Sequence, residues 1–267
     1  MHAALLLTML SLSAVSTTTD ALDAQPGRQI PQTLTVPSQD GDTAHDNTIP
    51  YLLFVPKQYE GSTDSFPLLL FLHGSGESGH GGGELDRVKA NGPPKLVDSR
   101  PNFPFILVSP QCAPVEESEE ETAWKPAQLI QLIDHVAKHL RVDPAGIYVT
   151  GLSMGGFGVW QLAAAYPDRI AAAVPICGGG DPQTMAKPLT KVPIWCFHGA
   201  KDDLVPPTRD QAMVDAVKAA GGDVHLTLYP SANHNAWSAT YDNQAVYDWL
   251  LSHRKTQPGE PASAGGH

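Results

Sequence analysis

Tyr148-Val-Thr-Gly-Leu-Ser-Met-Gly-Gly-Phe157 joins a β-branched run to a helical pattern through G-x-S-x-G, with Ser153 at the centre. Strand, turn and helix stand in the order that a nucleophile elbow requires. The tight turn holds its serine in a strained backbone conformation and brings neighbouring segments too close for a Cβ, which is why Gly151 and Gly155 flank it. Ser153 then lies at the N-terminus of the following helix, where free amides and the helix dipole favour developing negative charge. The amide of Met154 is the expected oxyanion donor.

Outward from this turn, short β-rich runs recur at Thr33–Val36, Tyr51–Val55, Leu68–Leu72, Phe105–Ser109, Ile147–Thr150, Ala171–Ile176, Val192–Phe197 and Val224–Tyr229. Helical patterns alternate with the later ones. The clearest is Lys125–Leu140, where Leu129, Leu132, Ile133, Val136 and Leu140 share one face and Pro126 suits the first turn. Further helices are expected at Gly155–Tyr166, Arg209–Ala220 and Gln244–His253. Alternation predicts an α/β domain with a mostly parallel eight-stranded sheet and helices on both faces, and the helix-free N-terminal strands predict an antiparallel start.

A serine hydroxyl needs an imidazole to take its proton and a carboxylate to hold that imidazole in the right tautomer. With this elbow the acid and then the base follow the serine along the chain. The run Val192–Phe197 leads into His198-Gly-Ala-Lys-Asp-Asp-Leu-Val-Pro206, which puts Asp202 and Asp203 just past the C-terminal end of a strand, where sites in open α/β sheets gather. The last strand leads into Pro230-Ser-Ala-Asn-His-Asn-Ala-Trp237, and His234 is the natural general base there. His135, His139 and His253 fall on predicted helices, His225 in a predicted strand and His267 in the tail, so none of them needs a role.

The apolar run Leu68–Leu72 ends in His73-Gly-Ser-Gly-Glu-Ser-Gly79, a turn suited to supplying a second oxyanion donor, assigned to the amide of Ser75 beside Gly74. Gly74, Gly76 and Gly79 also spell G-x-G-x-x-G. However, Gly81-Gly-Gly83 follows where a helix should begin, and no Lys-Ser/Thr ending is present, which argues against a nucleotide cradle.

Of 267 residues 42% are hydrophobic, enough for one sizeable core. Acidic residues outnumber basic ones, 28 to 17, and no Lys/Arg cluster could neutralise a phosphate backbone, so nucleic acid is not expected as a partner. The run Ala3–Val15 is too short to span a bilayer and is followed by small residues, Ala14-Val-Ser16, suited to a signal-peptidase cut. Residues 1–28 are therefore expected to be a signal peptide and polar linker, 29–256 the catalytic domain and 257–267 a disordered tail, in a secreted or periplasmic protein without a stable membrane anchor. The acidic run Glu116–Glu121 reads as a solvated loop that favours the positive end of the helix at Lys125. Three cysteines, Cys112, Cys177 and Cys196, match no metal-ligand spacing and allow at most one disulfide, with Cys112–Cys177 the pair that export would permit.

Leu72-His-Gly74, Asn91-Gly-Pro-Pro-Lys-Leu96, Ser109-Pro-Gln-Cys112, Gly151-Leu-Ser-Met-Gly-Gly156, Pro175-Ile-Cys-Gly-Gly-Gly-Asp181, His198-Gly-Ala-Lys-Asp202 and His234-Asn-Ala-Trp237 together make the chain resemble one branch of the α/β-hydrolase superfamily. That esterase branch includes carboxylesterases, lysophospholipases, feruloyl-esterase-like and polyhydroxybutyrate-depolymerase-like enzymes, and proteins labelled as peptidases. The match runs from about Tyr51 to Leu251. The resemblance implies an α/β-hydrolase fold, Asp202 rather than Asp203 as the triad acid, and neither cofactor nor metal. It implies a small-molecule or polymer-linked ester as substrate without saying which.

Little chain is available for a lid between Thr150 and Val192, so an open pocket is expected, with Trp124, Trp237 and Met154 as candidates for its walls. Two other readings stand beside ester hydrolysis. One is a serine peptidase resembling the prolyl-oligopeptidase type, whose accessory propeller has no room in this chain. The other is a ligand-binding protein that keeps the fold without turnover.

Overall fold

The computed structural model describes residues 22–36, 48–114 and 122–256. The leader up to residue 21, the acidic run and the tail from 257 lie outside the described residues. Eight strands form one sheet in the order β1-β2-β4-β3-β5-β6-β7-β8. They are β1 (Gln29–Thr35), β2 (Thr48–Phe54), β3 (Phe66–Leu72), β4 (Ile106–Pro110), β5 (Val142–Leu152), β6 (Ala172–Ile176), β7 (Ile194–Gly199) and β8 (Val224–Tyr229). The pairs β1/β2 and β2/β4 are antiparallel, and every pairing from β4 across to β8 is parallel. The expected α/β-hydrolase sheet and its antiparallel start are both present.

The helices are α1 (Gly92–Leu96), α2 (Pro126–His139), α3 (Met154–Ala165), α4 (Pro182–Leu189), α5 (Thr208–Ala219), α6 (Trp237–Asp242) and α7 (Gln244–Ser252). The inner strands read as unbroken apolar runs because both of their faces are covered, and successive side chains divide between two cores. Leu68, Leu70 and Leu72 of β3, with Ile147 and Val149 of β5, pack with Leu132 and Ile133 of α2, Trp160 of α3 and Met213 of α5. Leu69, Phe71 and Tyr148 face the other way, against Leu85, Tyr241 of α6 and Tyr247 of α7.

Four of the seven helices match the expected patterns within a few residues. The other three were not read from the sequence. Two are only five and six residues long, and the third, α4, begins with Pro182 after Asp181, whose side chain accepts the Gln183 N–H at 3.0 Å as an N-cap. The segment from residue 22 to 28, expected as linker, lies on the domain: Leu22 and Ala24 pack on the core and Gly27 donates its N–H to Val55 O at 2.7 Å.

The order of the strands places the site. The chain leaves β3 for β4 on one side and returns to β5 on the other, and the divergence of the following loops opens a crevice at the carboxyl ends of β3 and β5. Leu72 is paired with Gly151, so the segments after β3 and β5 leave the sheet side by side. The start of α3 presses directly on the end of β3, since a Cβ at Gly155 would lie 2.0 Å from Leu72 O.

Backbone cannot yield to a methyl group at that distance. Gly155→Ala is therefore expected to lower stability by about 3 kcal/mol and the thermal midpoint by about 8 °C, read by circular dichroism. An unchanged midpoint would mean that α3 does not press on β3.

Candidate active site

Ser153 sits between β5 and α3 at φ 54°, a left-handed conformation that costs a non-glycine residue free energy. Its N–H donates to Ile176 O at 2.9 Å and its C=O accepts from Phe157 N–H at 3.1 Å, so the strained turn is tied to both β6 and the helix. Its Oγ is 2.9 Å from His234 Nε2. His234 lies on the loop after β8, and its Nδ1 is 2.7 Å from Asp202 Oδ2.

Asp202 lies on the loop after β7. Its Oδ1 accepts the N–H groups of Leu204 and Val205, each at 3.0 Å, and Oδ2 takes the histidine. Burial alone would raise its pKa, but the bond from His234 and the two backbone donors outweigh it and hold the carboxyl below its ordinary value. Asp203, the alternative acid, is exposed. The two loops meet closely because residue 199 is glycine: a Cβ there would lie 1.9 Å from Asn233 O.

The loop after β3 forms a short 3-10 turn over Ser75–Glu77, with Ser75 exposed and Met154 buried at the head of α3. His73 is fully buried beneath it. Its Nδ1 bonds Gly74 O at 2.6 Å and its Nε2 accepts the Cys112 N–H at 3.2 Å, an arrangement that demands the neutral ring protonated on Nδ1. Burial lowers its pKa to about 4, against the partial opposition of the Gly74 carbonyl. Gln111 braces the same loop, donating from Nε2 to Glu77 O at 2.8 Å and accepting Gly81 N–H on Oε1 at 2.9 Å.

Trp124 is 4% exposed, its Nε1 donating to His73 O at 3.3 Å and its ring packed edge-on against His73 at 4.8 Å. It is a wall behind the loop, buried in the core, and not a face open to the crevice as expected. Trp237 does reach the site, with its ring 5.1 Å from that of His234 in a T-shaped contact. Its Nε1 donates to Asn91 Oδ1 at 3.2 Å, and Asn91 Nδ2 donates to Glu77 Oε1 at 2.6 Å. Burial pushes the Glu77 carboxyl above its ordinary pKa despite that bond. Glu77 and Asn91 were not singled out individually, because a polar pair 14 residues apart carries no spacing signal.

The cysteines stand apart as free thiols. Cys112 Sγ lies 3.8 Å from His73 Nε2, whereas Cys177 donates to His234 O at 3.2 Å, so the pairing that export would permit is not formed. Among the described residues Cys177, His198 and Asp202 bring ligand atoms within 4.8 Å of one another. Each is already committed: the thiol to His234 O, the carboxylate to His234 and two amides, the imidazole to Asp210 and Val205 O.

At the carboxyl ends of an eight-stranded α/β-hydrolase sheet, Ser153, His234 and Asp202 make a hydrogen-bonded series with the spacing of a Ser-His-Asp triad. The chain belongs to the dienelactone hydrolase family, whose sequence profile matches residues 115–250. It is 30% identical over 155 residues to poly(3-hydroxyalkanoate) depolymerase C of Paucimonas lemoignei, covering 42% of this chain and 37% of that protein. It is 29% identical over 146 residues to a bifunctional acetylxylan esterase/xylanase of Neocallimastix patriciarum, covering 54% of this chain and 21% of that protein. The chain thus spans well under half the length of these relatives. Among solved structures, a thermostable esterase superposes with a TM-score of 0.67 at 30% identity, over 85% of this chain and 63% of the other. A feruloyl esterase module from Clostridium thermocellum shares the fold at 16% identity, with a TM-score of 0.60 over 86% and 90% of the two chains.

His73 links the site to acid stability. The folded ring resists protonation down to about pH 4, whereas an unfolded one takes a proton near 6.5, so the unfolded state binds more protons between these values. Stability is expected to fall as pH drops through that window, by about 3 kcal/mol from this group. Urea midpoints measured across it for wild type and His73→Gln should show a flatter dependence in the variant, and equal slopes would refute the assignment.

Proposed function

We propose that this chain is a serine hydrolase that cleaves carboxylic esters through an acyl-enzyme, with Ser153 as nucleophile, His234 as general base and acid, and Asp202 as the group that orients His234. The observation that carries the reading is the pair of contacts on one imidazole, 2.7 Å to a buried carboxylate and 2.9 Å to the serine hydroxyl. An Nδ1–H donated to Asp202 leaves the Nε2 lone pair facing Ser153.

As Oγ bonds to the ester carbonyl carbon, its proton passes to Nε2 and the carbonyl electrons move onto oxygen. That oxyanion accepts from the N–H of Met154, at the head of α3, and from the N–H of Ser75 across the crevice. Collapse breaks the bond to the alkoxy oxygen, which leaves with the proton from His234. Water then repeats the sequence on the acyl-enzyme, releasing the acid and restoring Ser153.

Relatives named for a polyhydroxyalkanoate and for acetylated xylan support a polymer-linked or small ester as substrate. Trp237, against the catalytic imidazole, is the candidate for contact with it; Trp124 acts at one remove, through His73 and the oxyanion loop. Export from the cytoplasm belongs to the same reading, supported by the apolar stretch Ala3–Val15 and the small residues that end it. No helix among the described residues is long and apolar enough to cross a membrane.

A fluorophosphonate probe should label the wild type and not a folded Ser153→Ala variant, which should also lose at least about a thousand-fold in turnover of p-nitrophenyl esters. Asp202→Asn should lower kcat about ten-thousand-fold and Asp203→Asn hardly at all. Peptide anilides cleaved faster than esters would turn the reading to a peptidase, and folded wild type that neither labels nor turns over would turn it to a binding protein.

A further inference from the structure

Behind the triad lies a second buried ionisable cluster that the chemistry above leaves unused. His198, at the end of β7, is fully buried, and so is Asp210 in the first turn of α5. His198 Nδ1 is 2.7 Å from Asp210 Oδ2. Its Nε2 is 3.1 Å from Asp202 Oδ2 and 2.9 Å from Val205 O. Asp210 itself accepts from the Trp160 indole N–H at 2.7 Å on Oδ1 and from Gly178 N–H at 3.0 Å on Oδ2.

Both ring nitrogens of His198 therefore face oxygen acceptors. A neutral imidazole has one bare nitrogen, which here would press its lone pair against an oxygen lone pair in a buried site. We propose that His198 is a permanently protonated imidazolium bridging Asp210 to Asp202, and that it is a positioning residue that fixes the orientation and the effective charge of the triad acid. This rests on the reading of Asp202 as the acid of a serine hydrolase.

Two of the groups around the ring are carboxylates that would sustain a positive charge. Asp202 faces it from the loop after β7, Asp210 from α5, and the thiol of Cys177 from the end of β6, with Cys196 on β7 beside Asp210 and His234 beyond Asp202. Burial of His198 opposes protonation, but the bond to Asp210 and the charges of Asp210 and Asp202 outweigh it and raise its pKa. The consequence for Asp202 is geometric and electrostatic. Its Oδ1 is pinned by two amides, and Oδ2 is shared between His234 and His198, so rotation of the carboxylate would break bonds at both ends. The positive ring also offsets one of two buried negative charges behind His234.

The test uses the full chain with 15N-labelled histidine. In wild type both His198 ring nitrogens should carry protons throughout pH 6 to 8, a readout that needs no turnover. In His198→Gln the removed positive charge leaves Asp202 and Asp210 to favour a proton on the general base. The acidic limb of the fluorophosphonate-labelling rate against pH should then move up by about one unit. Should that variant not fold, the protonation of both ring nitrogens in wild type decides the proposal by itself. A singly protonated His198 in wild type or an unmoved limb in folded His198→Gln would overturn the proposal. Loss of ester turnover with labelling intact would count against the ester substrate alone.

Discussion

The backbone at residue 153 is the constraint on which the rest of the site depends. A serine at φ 54° is held there only because its surroundings leave no alternative, and those surroundings are specific backbone contacts. The amide of Ser153 is bonded to the end of β6, its carbonyl starts α3, and the first turn of α3 lies against the end of β3 with no room for a Cβ. The strain is thus held by the central strands of the sheet, which are also its most deeply buried. Once the turn is fixed, Oγ meets the Nε2 of His234, which arrives on the loop after β8.

A second backbone feature helps to place His234. Cys177 is the other non-glycine residue in the left-handed region, at φ 50°, among the described residues. It follows β6 directly, and its thiol donates to His234 O. The loops after β5, β6, β7 and β8 therefore converge through main-chain contacts, and the triad side chains extend from them only a short way. Site geometry on this fold is a property of strand ends before it is a property of side chains.

Much of this was legible from residue types and order. The elbow announced itself because its glycines, its β-branched strand and its helix fall within ten residues. The sheet was legible because inner strands covered on both faces are unbroken apolar runs. Asp202 could not be separated from Asp203 by position alone: the two are neighbours, and the difference is that one side chain turns inward onto two amides while the other is exposed. Trp124 misled for a related reason, since a large aromatic near the site can serve the core or the crevice, and only its bond to His73 O decides for the core. Contacts between positions far apart, such as Trp160 with Asp210 or Gln111 with the loop after β3, leave no periodic mark.

The proposed reaction falls to a hydroxyl although the domain also holds three thiols. A thiol reacts as thiolate, and burial raises the pKa of both Cys112 and Cys177 to about 12, with Cys196 well above its ordinary value. At neutral pH each is a small apolar group with a weak donor. Cys177 lies closest to the chemistry, yet its sulfur faces the His234 carbonyl and not the ring, so no base is presented to it. Ser153 is the reverse case: a weaker nucleophile by nature, but one whose proton has an acceptor 2.9 Å away and whose attack ends at a helix N-terminus. Placement decides between them, because an imidazole can activate only the group that its lone pair faces.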